Sequence, residues 1–107
     1  MKLKYTLHAR NDLKEIYAYI AEVLHSSMAA KSTTEKIMQE ARSLERLPER
    51  NPLYKDEPWH SQGVRVARVK NYLVLYTVNF ETDTVTVVRI IYAGRDISKQ
   101  LEDTTEW

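Results

Sequence analysis

The chain contains no cysteine. That single absence removes disulfides, thiolate metal sites and cysteine nucleophiles together, and it suits a reducing compartment. Glycine occurs only twice, at Gly63 and Gly94, so no glycine-rich loop exists to cradle a phosphate chain. Serine-nucleophile motifs are missing. The histidines His8, His25 and His60 stand in no spacing with acids that would hold a metal. No apolar run approaches a membrane span, and the opening MKLKYTLHARND lacks the apolar stretch of a signal peptide. These absences lead us to expect a cytoplasmic protein with no cofactor, no metal and no membrane partner. Net charge gives no further direction. At +1 over 107 residues, no bulk basicity announces a nucleic-acid binder.

What is present is one domain's worth of chain, 1–107, with 43% apolar and 29% charged residues, an ordinary globular composition. The charges are unevenly placed. From His60 to Lys99 there are six basic residues (Arg65, Arg68, Lys70, Arg89, Arg95, Lys99) and three acidic ones, and the tail then turns acidic with Glu102, Asp103 and Glu106. A locally basic face inside a neutral protein fits an anionic partner, and it equally fits a solvated surface.

Hydrophobic periodicity orders the elements. Lys2–Leu7 alternates as a short half-buried strand. Ala9, Leu13, Ile16, Tyr17, Ile20 and Leu24 form one helical stripe, with Thr6 as a possible cap. Arg10, Asn11 and Asp12 read as a solvated first turn. His25-Ser26-Ser27 breaks the pattern, and Ser26 or Ser27 can cap a second helix over 28–47, with a seam of Ala30, Thr34, Ile37, Ala41 and Leu44. Two such stripes joined by a short turn make a helical hairpin that must also cover a sheet. Leu47-Pro48 ends the second helix. An irregular stretch, Glu49–Gly63, follows, with Trp59 as its apolar plug.

Three strands come next. Lys70-Asn71 is a two-residue hairpin connection, so Val69 faces Tyr72, Ala67 faces Val74, Val66 faces Leu75 and Arg65 faces Tyr76. Directly opposed residues share a face. We expect Val64, Val66, Leu73 and Leu75 beneath the helices, and Arg65, Ala67, Val69, Tyr72, Val74 and Tyr76 on an open face. In the last strand we expect Thr84, Thr86, Val88, Ile90 and Tyr92 on the open side, with Arg89 a structural arginine at the rim of the helices. Gly94 turns the chain, Arg95 sits at the edge of the open face, and Asp96 caps a short helix, Ile97–Leu101. The expected fold is α+β, in the order β-α-α-β-β-β, with a helical hairpin on a mainly antiparallel four-stranded sheet and a short C-terminal helix. Trp107 has no core role and could contact a partner.

Three strings carry a resemblance. ARNDLKEIYAYIAE resembles the first helix, VRVARVKNYLVLYTV the arginine strand and tyrosine-rich strand, and TVTVVRIIYAGRDI the last strand and exit of the RelE/ParE superfamily of bacterial type II toxins. The resemblance runs from residue 3 to 101. It implies a growth-arresting toxin of a plasmid-stabilisation or addiction module, held silent in a hetero-oligomer with a cognate antitoxin. ParE-like members poison DNA gyrase, whereas RelE-like members cut mRNA on the ribosome without metal. On the RNase reading, Arg65 would hold the phosphate and Arg95 would stabilise the transition state. Tyr92 would donate or relay a proton, Tyr76 would orient or stack a base, and His60 is an additional, weaker candidate. The lysine pair of RelE members and a last-strand histidine are missing. That absence, with the long helical hairpin and the GRD ending, tilts the expectation toward gyrase. A domain of this fold that only binds the antitoxin is the third possibility.

Overall fold

A computed structural model describes residues 1–104; Trp107 and Glu106 lie outside them. Strand β1 (Lys2–Tyr5) leads into helix α1 (Leu7–Ala18), which continues as a π-helical segment, Tyr19–Val23. Helix α2 (Ser27–Ser43) runs back, and β2 (Arg65–Val69), β3 (Tyr72–Asn79), β4 (Thr84–Tyr92) and α3 (Ile97–Glu102) complete the order. The sheet order is β1-β4-β3-β2, with β1 parallel to β4 and the other pairs antiparallel. The α+β architecture is therefore as the sequence predicts.

Caps explain the helix starts. Thr6 Oγ1 accepts from Ala9 N at 3.0 Å, Ser26 Oγ accepts from Ala29 N at 3.1 Å, and Asp96 Oδ1 accepts from Lys99 N at 3.2 Å. Each satisfies one of the amide groups that a helix N-terminus leaves open. Helix α2 stops at Ser43, earlier than expected, and turns carry the chain to Pro48. The π-helical segment explains a second departure. Leu24 amide donates to Tyr19 carbonyl at 3.2 Å, five residues back. One additional residue in a turn rotates everything after it by about 100°. Leu24, expected in the buried stripe, is exposed, as is Tyr17 at the stripe's margin, while Ala9, Ile16 and Ile20 are buried.

The β2–β3 register matches the expectation pair for pair, Arg65 opposite Tyr76 through Val69 opposite Tyr72. The faces are the reverse of those expected. Ala67, Val74 and Tyr76, with Val69 and Tyr72 beside them, pack against Ala9, Ile16, Ile20, Ala30, Ile37, Ala41 and Leu44 of the helical hairpin. Val64, Leu75, Val88 and Ile91, with Val66, lie on the other side under Tyr54, Trp59 and Leu101. Both faces of the sheet are covered, one by the hairpin and one by the irregular stretch and α3. With both faces apolar in their centres, alternation fixes which residues go together but not which layer covers them.

A bulge in β4 makes the second correction. Leu75 pairs with Arg89 but Tyr76 pairs with Val87, leaving Val88 as an additional residue. An additional residue flips the alternation beyond it. Thr84 and Thr86 keep to one side, while Ile90 joins the helical core and Tyr92 comes opposite Tyr72. Thr84, Thr86, Ile90 and Tyr92 therefore do not share a face.

Candidate functional site

Beyond Val87, β4 has no strand on one side, because β1 has ended. Helix α1 takes over that edge. Thr6 amide donates to Val87 carbonyl at 3.0 Å, Thr6 hydroxyl donates to Val88 carbonyl at 2.8 Å, and Ile90 amide donates to Asp12 Oδ2 at 2.8 Å. The same carboxylate accepts from Arg89 Nε at 2.8 Å and Arg89 Nη2 at 3.0 Å. Arg89 Nη1 also donates to Gln100 carbonyl at 3.2 Å and to Thr104 hydroxyl at 3.0 Å. One arginine thus ties α1 to α3 across the edge of the sheet. The expected structural duty of Arg89 holds. Asp12, expected in a solvated turn, is 8% exposed. A helix-surface acid carries no sequence signal of burial until its arginine is seen across 77 residues.

The four expected catalytic side chains fall into two groups. Tyr76 is fully buried, donates its phenol hydrogen to Pro48 carbonyl at 2.7 Å, and accepts from Asn51 Nδ2 at 3.1 Å. Arg65 donates to Asn51 carbonyl at 2.7 Å and pairs with Glu49 at 3.3 Å. Both side chains therefore anchor the stretch that leaves α2, and neither stands on an open face. Tyr92 and Arg95 lie at the other end of the sheet. Tyr72, the partner of Tyr92, precedes Tyr76 by four residues along β3, which is about 13 Å of strand. His60 belongs to neither group. Its Nδ1 lies 2.9 Å from Tyr54 carbonyl in the layer over the opposite face.

Tyr92 and Arg95 do meet a cavity. A groove of about 880 Å³ runs between the π-helical end of α1, the start of α2, the Lys70-Asn71 turn and the end of β4. Tyr19, Tyr72, Tyr92, Lys70, Arg95 and Glu15 line it. Nothing in the sequence pattern marks Tyr19, Tyr72 or Lys70 as lining it, except the opposition of Tyr72 to Tyr92 across the strand pair. Local backbone builds the groove. Lys70 holds φ at +54°, as the first central residue of a tight hairpin requires, and Arg68 Nε braces the turn by donating to Lys70 carbonyl at 3.0 Å. Gly94 is needed for the position of Tyr92: a Cβ there would stand 2.5 Å from Tyr92 Cε2. The Tyr72 and Tyr92 rings meet edge to face, centroids 5.8 Å apart at 69°. Burial raises the Tyr72 pKa above 10.0, and the nearby Tyr92 and Tyr19 raise it further. Tyr72 is therefore a neutral donor at physiological pH and is not poised as a base.

A two-helix hairpin on a mixed four-stranded sheet with a short helix behind it is the fold of type II toxins of the RelE/ParE class. The chain belongs to the family of ParE toxins of type II toxin–antitoxin (parDE) systems, which it matches over residues 3–97. No curated protein matches it in sequence. Among solved structures, the chromosomal ParDE toxin–antitoxin system of P. aeruginosa superposes with a TM-score of 0.70 at 23% identity, over 86% of this chain and 95% of that one. The RelBE2 toxin–antitoxin complex of Mycobacterium tuberculosis gives 0.61 at 22% identity over 85% and 95%. The isolated E. coli RelE toxin gives 0.61 at 15% identity over 94% of each. At these identities the superpositions speak to fold.

Proposed function

We propose that this chain is the growth-arresting member of a toxin–antitoxin pair of the plasmid-stabilisation kind, silenced by a cognate antitoxin in a hetero-oligomer, and that its target is DNA gyrase. The observation that carries the choice of target is the separation of Arg65 and Tyr76 from Tyr92 and Arg95. Cleaving RNA through its 2′-hydroxyl needs a base, an acid and charge stabilisation converging on one phosphate. Here two of the four candidate groups hold a loop to the core, some 13 Å along the strand from the other two. Among the described residues no histidine lines the groove, and its Tyr72 phenol is held in the neutral form. An antitoxin partner follows from the family and from the toxin–antitoxin assemblies that share the fold.

Inducible expression without an antitoxin tests this reading. We expect growth arrest, accumulation of gyrase-linked DNA breaks, and intact mRNA by primer extension. Codon-spaced cleavage of ribosome-bound mRNA would replace gyrase with the nuclease reading. Normal growth would leave only an inactive domain of the same fold.

A further inference from the structure

The groove at the hairpin end presents aromatic rings and unpaired cations together. Tyr92 and Tyr19 are 49% and 52% exposed, and the Tyr72 ring meets Tyr92 edge to face. Lys70 and Arg95 line the same groove. Among the described residues neither has an ion-pair partner, whereas the groove's third cation, Arg89, is already taken by Asp12. Glu15 is a carboxylate among the lining residues. An apolar helix seated here would cover the rings but strip water from two unmatched cations. An acidic peptide would satisfy the cations and leave the tyrosine faces without a planar partner. Half-exposed rings beside cations that lack counter-charges are the combination that holds an unstacked base with its flanking phosphates.

We propose that this groove binds single-stranded DNA, with a base against Tyr92 and Tyr19 and phosphates on Lys70 and Arg95. The choice of DNA over RNA rests on the gyrase reading; the stacking and phosphate contacts do not. A toxin built this way would touch the DNA that its target holds open as well as the target itself.

Fluorescence anisotropy of the purified chain with a labelled oligo(dT), and separately with oligo(rU), tests the proposal. Saturable binding to oligo(dT) is expected, with log K falling against log salt at a slope of about −1.4 for two phosphates on a single strand. Tyr92→Ala and Tyr19→Ala should each weaken binding by roughly tenfold, with Tyr92→Phe retaining it. Arg95→Ala should reduce the slope by about 0.7. Tyr19 is the more exposed of the two ring positions, so its variant reports on binding even if Tyr92→Ala fails to fold. Absence of saturable binding overturns the proposal. So does binding whose strength is the same in the tyrosine variants and the wild type, since that is charge alone. Tighter binding to oligo(rU) overturns the assignment to DNA. No gyrase is present in this experiment, so its failure is distinct from failure to produce gyrase-linked breaks.

Discussion

Removing the carboxylate of Asp12 should damage this protein more than any other change to a charged residue of α1. Asp12 accepts three short hydrogen bonds, two from Arg89 and one from Ile90 amide, and the two charged side chains are only 10% and 13% exposed. Deleting one member of a buried pair leaves the other charge without compensation, at a cost of about 3–5 kcal/mol. The residual exposure lets water reach Arg89, and Gln100 and Thr104 still accept from it, so the lower end, about 3 kcal/mol, is the expectation for Asp12→Ala. For a domain of this size that is a fall in Tm on the order of 12 °C. Replacing both residues, as Asp12→Leu with Arg89→Met, often restores stability at a simple buried ion pair. It should not do so fully here, because Ile90 amide loses its acceptor on the open edge of β4, a residual cost of about 1–3 kcal/mol. Urea denaturation of the two single variants and the double variant measures this directly. A loss below about 1 kcal/mol in Asp12→Ala, or a double variant as stable as the wild type, would refute the role given to this carboxylate.

Three further outcomes are expected. Tyr76→Phe should lower stability by about 1–2 kcal/mol in the same denaturation assay, because Pro48 carbonyl and Asn51 both lose the phenol. Gly94→Ala should displace the Tyr92 ring, which NMR would register as a changed ring environment at Tyr72, with a stability change within about 1 kcal/mol because Tyr92 is half exposed. Tyr72 should ionise above 10.0 in a near-ultraviolet titration, and Tyr92→Phe should lower its midpoint. Since the fold favours the neutral phenol, its contribution to stability is complete below the unfolded value near 10 and is lost as pH rises from there through the raised folded value.

The elements and the hairpin register were legible because periodicity and turn chemistry are local. Lys70-Asn71 sets the pairing from Val69–Tyr72 to Arg65–Tyr76 with no knowledge of the rest of the chain. Which layer lies on which face was not legible. Both faces carry apolar centres, and Arg65 at a strand end can leave a helix-covered face by reaching the 49–51 stretch. Nor could the bulge at Val88 be read from TVTVVRIIY, whose alternation looks continuous. That one residue moves Tyr92 onto the groove and away from the threonines. The π-helical segment acted similarly on Leu24. Of the expected site, Tyr92 and Arg95 remain together at a cavity. Arg65 and Tyr76 sit together elsewhere as anchors, and His60 stands apart in the loop layer.

The most direct measurement is a DNA-cleavage assay with purified gyrase, supercoiled plasmid and this chain, stopped with detergent and protease. Linear DNA that accumulates with toxin concentration and requires gyrase is the expected result. Unchanged plasmid in that assay, together with ribosome-dependent cleavage of mRNA by the same preparation, would contradict it.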